Sequence, residues 1–309
     1  MKAKRSGKNI GNLVISAALV AIFLFLAWIV YVKPKMAEVL FEPVFINDVK
    51  KARIVSEMRV NLNASVEAEK SAVLAVTDEA STDYANQAMK LSAAVEDARQ
   101  ELGILIEAEK MGREVDLFRE FSECWEMFRQ IDQELLPLTV LNTNLKAYEL
   151  SFDSAQNAIK QLEESLDALI GSDTSRDKSC EILKLSQRTL IAALKIHGRQ
   201  ASHIAENRPE KMDEIEATIQ MQDERVIQSM DALTYLKASK SKSMIDAVKA
   251  AYAEFWRIHM EVINLSRQNT NVRSLAMSLG QKRKVTVQCQ DVLESLEKAI
   301  QSKVYKATK

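Results

Sequence analysis

Trp125 to Lys146 reads WEMFRQIDQELLPLTVLNTNLK, and Tyr252 to Arg273 reads YAEFWRIHMEVINLSRQNTNVR. A gapless shift of 127 residues places Trp125 on Tyr252, Phe128 on Phe255, Ile131 on Ile258, Glu134 on Glu261 and Leu138 on Leu265. Asn142, Thr143 and Asn144 fall on Asn269, Thr270 and Asn271. Lys146 falls on Arg273, Ser151 on Ser278, Leu166 on Leu293 and Leu169 on Leu296. The match runs for about 45 residues, the length of a packing unit rather than of one motif. The first parts of the two sets match poorly, so the duplication is argued from their second parts.

Outward from this stretch the chain reads as helix. Of 309 residues only 7 are Gly and 4 Pro, and breakers delimit about eight helical segments in two sets of four. The breaks fall at Thr77–Asp83, at Met111-Gly112, at Gly171–Asp177, at Glu206–Glu210, at Lys237–Lys242 and near Asn269. Capping residues and chain reversers concentrate there. The turn between the third and fourth helices falls at Pro137 or at Asn142. Leu141, Leu145, Tyr148, Phe152, Ala155, Ile159, Leu162, Leu166 and Leu169 alternate by four and three, the period of left-handed helix packing. The second seam is Leu265, Val272, Leu275, Leu279, Cys289, Leu293, Leu296 and Ile300. Seams of this kind turn inward in an up-down-up-down bundle. Leu145, Phe152, Ile159, Leu166, Leu275, Leu279 and Leu293 are therefore expected to be buried, and Trp125 and Tyr252 to fill equivalent places.

Leu13 to Val32 carries no charge and as a helix is about 30 Å long, the thickness of a bilayer core. Lys2, Lys4, Arg5 and Lys8 precede it, and Trp28 and Tyr31 sit at its far end. The heavier basic flank stays in the cytoplasm, so the following domain faces outward. The run is longer than a secretory signal's apolar region and lacks a small-x-small cleavage site. The fold expected is all-α: one N-terminal transmembrane helix and two tandem up-down-up-down four-helix bundles. The segments are a basic N-terminus (1–12), the span (13–32), a stem (33–50), a first bundle (51–170), a linker (171–178) and a second bundle (179–309). The location expected is the inner membrane, single-pass, with the C-terminal domain periplasmic or extracellular.

Composition bounds the function. The formal net charge is -1, and its 28% charged residues are interspersed in sign, which gives no field suited to nucleic acid. Cys124, Cys180 and Cys289 lie far apart; they read as buried free thiols, or as one bridge with an odd thiol left over. No metal, haem or di-iron spacing occurs, so no cofactor and no enzymatic activity are expected. His197 and His203 are six apart and point to different helix faces.

An N-terminal span followed by four helices, with Phe-x6-Trp-x2-Phe-x2-Ile in the third ending on Ile131, resembles the periplasmic sensor of methyl-accepting chemotaxis receptors. The polar turn Asn142-Thr-Asn-Leu-Lys-Ala147 opening the fourth helix adds to the likeness, although the second set has Ser274 at that Ala. The resemblance covers roughly residues 10 to 170 and extends to 179 to 300. It implies a sensory module binding small ligands where the first helix ends and the fourth begins. Mapped here, the second set offers His197, Arg199, His203, Asn269, Thr270, Asn271 and Arg273, and the first set offers Asn142, Thr143, Asn144 and Lys146. Guanidinium groups, amides and a helix N-terminus suit a carboxylate. The competing reading is that Asn-Thr-Asn only caps a turn. The receptors' second span, relay helices and cytoplasmic hairpin do not follow here. Signalling is therefore expected through a partner receptor or a homo-oligomer, unless the sequence is part of a longer receptor. Receptor pairing suggests that the bundles stand side by side; stacking end to end is the rival layout. A scaffolding protein that exposes an apolar stripe and has no polar pocket is the alternative function.

Overall fold

The computed structural model describes residues 21–22, 25–26, 33–109, 112–172, 176–236 and 242–307. Every element among them is helical, and no strand occurs among the described residues. In chain order they are α1 (Lys33–Leu74), α2 (Asp78–Glu109), α3 (Gly112–Thr139), α4 (Thr143–Glu149), a π segment (Leu150–Ala155) and α5 (Gln156–Gly171). Then come α6 (Arg176–Ala205), α7 (Pro209–Leu236), α8 (Lys242–Gln268), α9 (Thr270–Met277), a second π segment (Ser278–Lys282) and α10 (Arg283–Ala307). The expected stem 33–50 is no separate element, because α1 passes through Pro43 without a break. The third-to-fourth turn lies at Asn142, not Pro137, which stays inside α3.

Of the expected span 13–32, only Ala21, Ile22, Phe25 and Leu26 are described; they are helical and exposed, and the rest lies outside the described residues. Among the described residues no helix is long and apolar enough to cross a membrane.

The expected boundary at 171–178 is not where the chain divides. One compact unit comprises Met1–Asn63, Ser92–Trp125 and Val287–Lys309; the other comprises Ala64–Leu91 and Glu126–Thr286. The cause is an exchange of fourth helices. In the larger unit α5 packs on α8 and α6, and α6 on α7. Leu162, Leu166 and Leu169 of α5 share one core with Ile182, Ala193 and Ile196 of α6, Val226 and Leu233 of α7, and Val248, Phe255 and Ile258 of α8. The fourth helix of the first set thus completes the three helices of the second. The smaller unit shows the reciprocal case. Its α10 is joined to α3 by the disulfide Cys124–Cys289, with Cα atoms 5.7 Å apart, and to α1 by an Arg59–Glu297 ion pair. Two of the three cysteines are therefore bonded rather than free, and Cys180 is an exposed thiol.

The seams are half right. Ile159, Leu166 and Leu293 are buried, but Leu145 is only half-buried and Leu275 is exposed. Phe152 is 60% exposed and Leu279 59%. The residues turned inward are instead Ala147, Ser151 and Ala155, and Thr270, Ser274, Ser278 and Lys282. Steps of four drift by about 40° each around an α-helix. The wider turn of the two π segments takes up that drift and keeps the small residues on one face.

The repeat is visible in the packing. Trp125 and Tyr252 are both buried. The Trp125 indole N–H donates to Glu96 at 2.8 Å, and the Tyr252 hydroxyl donates to Asp223 at 2.5 Å. Glu96 and Asp223 are themselves 127 apart (223 − 96), so the second helices follow the same shift.

Candidate functional site

The larger unit holds all eleven residues that the sequence nominated. Asn142 and Asn269 both adopt the left-handed conformation, at φ 49° and 54°, which Asn tolerates better than other side chains. Each turn delivers a Thr-Asn pair to the other. The Thr143 N–H donates to Thr270 Oγ1 at 3.2 Å, and the Thr270 N–H donates to Thr143 Oγ1 at 3.1 Å. The Asn144 N–H donates to Asn271 Oδ1 at 3.1 Å, and the Asn271 N–H to Asn144 Oδ1 at 3.2 Å. Side-chain amides close the knot: Asn144 to Asn269, Asn271 to Asn142, and Asn142 to Asp78 and Ser81. The first N–H groups of a helix need outside acceptors. Here each fourth helix caps the other, so these donors are spent on packing. Lys146 is engaged by Asp78 at 2.9 Å, and Arg273 is exposed.

The three histidines, scattered in sequence, converge on α6 and α8. Buried His203 places Nδ1 2.7 Å from Ser266 Oγ and Nε2 2.8 Å from Glu216, which Arg267 also holds. His259 Nδ1 lies 3.0 Å from Gln200 Nε2; Gln200 in turn accepts from the Ser151 hydroxyl at 2.7 Å. Half-buried His197 meets the Ser151 carbonyl. Burial pushes His259 down to about 4 and lowers His203 too. His203 and His259 are buried with ring nitrogens engaged by neighbouring side chains, and Arg199 beside them is exposed. Among the described residues no cluster of His, Cys, Asp or Glu could hold a metal ion.

A different place has the free chemistry. A surface groove of about 540 Å³ runs between α6 and α7, lined by Lys184, Arg188, Lys195 and Arg225, by Gln187, Gln222 and Gln228, and by Ile191 and Ala192. No carboxylate lines it. Elsewhere cations are commonly paired: Lys50 with Glu101, Arg99 with Glu96, Arg257 with Glu254. Among the described residues none of the four groove cations has an acid partner; the Arg225 guanidinium reaches only the Gln222 amide, at 3.4 Å. Lys184, Arg188, Ile191 and Lys195 recur by four, three and four, so one helix face carries them all. Unneutralised cations in a concave surface attract anions, and guanidinium groups bind carboxylate or phosphate oxygens in pairs. The 184-188-191-195 spacing was the available sequence signal. Charged residues spaced along a helix usually only face solvent, so this spacing does not by itself mark a site.

The second groove, of about 610 Å³ between α5 and α8, has the opposite character: Glu164 and Glu254 line it and no cation does. The fold and the groove together define an all-helical, bundle-like protein with a cationic cleft. Comparison with protein-family models, with curated proteins and with solved structures gives no match for the chain.

Proposed function

We propose that this chain is a membrane-anchored, extracytoplasmic binding module, built as two four-helix units resembling chemoreceptor sensor domains. It takes an anionic group, on a small ligand or on a partner receptor, and relays by association. The observation that carries this reading is the α6–α7 groove with four unpaired cations and no acid. Two features support the location. The apolar run at 13–32 fits an anchor, and Ala21, Ile22, Phe25 and Leu26 within it are helical and exposed. The Cys124–Cys289 bond fits an oxidising compartment.

The test is a thermal-shift titration of the full chain in detergent with phosphate, tripolyphosphate and carboxylates, beside a variant carrying Lys184→Gln, Arg188→Gln, Lys195→Gln and Arg225→Gln. Stabilisation by one of these anions, lost in the variant and weakened by salt, is the expected result. Equal behaviour of the two proteins ends the reading.

The scaffolding alternative has its own observation. Tyr148 and Phe152 stack with ring centroids 5.9 Å apart on an exposed face, and their counterparts Leu275 and Leu279 are exposed as well. Light scattering separates the readings: assembly that Phe152→Ser abolishes would favour a scaffold.

A further inference from the structure

We propose that the α6–α7 groove is the seat of an acidic amphipathic helix from a partner protein, with carboxylates over Arg188, Lys195 and Arg225 and an apolar side chain on Ile191. This rests on the anion-binding reading of the groove and names its occupant.

The dimensions argue for an extended occupant. Lys184 and Lys195 are eleven residues apart on α6, about 16 Å along the axis or three turns. α7 runs back antiparallel, and the His203–Glu216 contact sets the register. Arg225 therefore stands opposite the stretch between Arg188 and Lys195. A small ligand is normally buried over most of its surface in a concave pocket. A trough with its cations spread over three turns cannot surround one small anion, but it can follow a rod.

The middle of the trough argues for a helix rather than a bare polyanion. Ile191 is 52% exposed there, with Ala192 beneath it. Four-three-four spacing matches the side-chain period of a helix laid alongside, as in groove-bound amphipathic helices. An occupant with an apolar residue in the centre and acids one turn to either side satisfies both Ile191 and the cations. No aromatic side chain lines the groove, so the stacking platform that single-stranded nucleic acids use is missing.

The experiment uses the full chain in detergent micelles and three probes. These are a synthetic helix of about 18 residues with Glu and Leu in heptad order, a scrambled peptide of equal composition, and inorganic tripolyphosphate. Binding is read by fluorescence anisotropy for the labelled peptides and by calorimetry for tripolyphosphate. The ordered peptide should bind at least about tenfold tighter than the scrambled one. Arg188→Glu with Lys195→Glu should abolish that preference. Ile191→Ser should weaken the ordered peptide about fivefold and leave tripolyphosphate unchanged. The substituted residues are exposed, and circular dichroism melts confirm that the variants fold. Equal binding of both peptides, or indifference to Ile191→Ser, overturns the helix and leaves a polyanion groove. Failure of all three probes on the wild-type chain overturns the anion-binding reading as well.

Discussion

Asn142 and Asn269 are the two non-glycine residues with positive φ among the described residues, and each turns its chain into the other set's three helices. Ala at either site would carry a left-handed penalty and lose the amide bonds. Asn142→Ala should therefore cost about 2–3 kcal/mol in chemical denaturation. Asn142→Gly keeps the turn and loses only the bonds, so its cost should be about 1 kcal/mol less. His259 makes the second prediction. Its folded pKa, about 4, lies below the unfolded value because burial disfavours the charged ring. As pH falls from about 6.5 toward 4 the unfolded chain takes up a proton that the folded chain refuses, and stability is lost. The loss approaches about 3 kcal/mol near pH 4. In His259→Gln this component should vanish, so the wild type's advantage over the variant should shrink as the solution is acidified. A constant difference between pH 7.5 and 4.5 would sink the argument.

At the scale of the element, the π segments decide which face of each fourth helix is buried. In the first set the heptad stripe lies in solvent at Leu141 and Tyr148 before the π segment and at Phe152 within it; after it Ile159, Leu162, Leu166 and Leu169 lie in the core. Phe152→Ser and Leu279→Ser should each change unfolding free energy by no more than about 0.5 kcal/mol. Ile159→Ala and Leu293→Ala should cost about 2–4 kcal/mol, because each leaves a cavity. Urea titration of the four variants checks this, and a large cost at Phe152 would mean that the stripe is packed. The heptad seam does not identify the packed face, because apolar periodicity reports a helix and a stripe, not the local winding. Small Ala and Ser residues on the packed face look neutral in a hydropathy pattern.

At the scale of the whole molecule, the disulfide fixes the exchange of helices. It closes a loop of 165 residues between the two sets. In the chain-entropy account such a loop contributes about 5 kcal/mol. Cys124→Ser with Cys289→Ser should lower stability by up to that amount and leave the circular dichroism spectrum helical. A protease site placed between Gly171 and Arg176 gives a sharper test. The cut protein should remain one species on a non-reducing gel. After reduction its two pieces should still elute together in native chromatography, because each supplies a helix to the other's core. Pieces that separate freely would refute the exchange.

The sequence by itself determined the helical class, most breaks between helices, the duplication and its register of 127. All of these depend on local propensity and on short-range periodicity, which are written along one stretch of chain. The same spacing reappears in the Thr143–Thr270 and Asn144–Asn271 pairs. Only the tertiary structure decided which fourth helix joins which three, that Cys124 meets Cys289, that the histidines converge and that the groove cations lack acids. Those facts depend on neighbours far apart in sequence. An αL turn and an inward stripe are equally compatible with folding back or crossing over, so local residues could not choose between them. The free energy of the assembled core makes that choice.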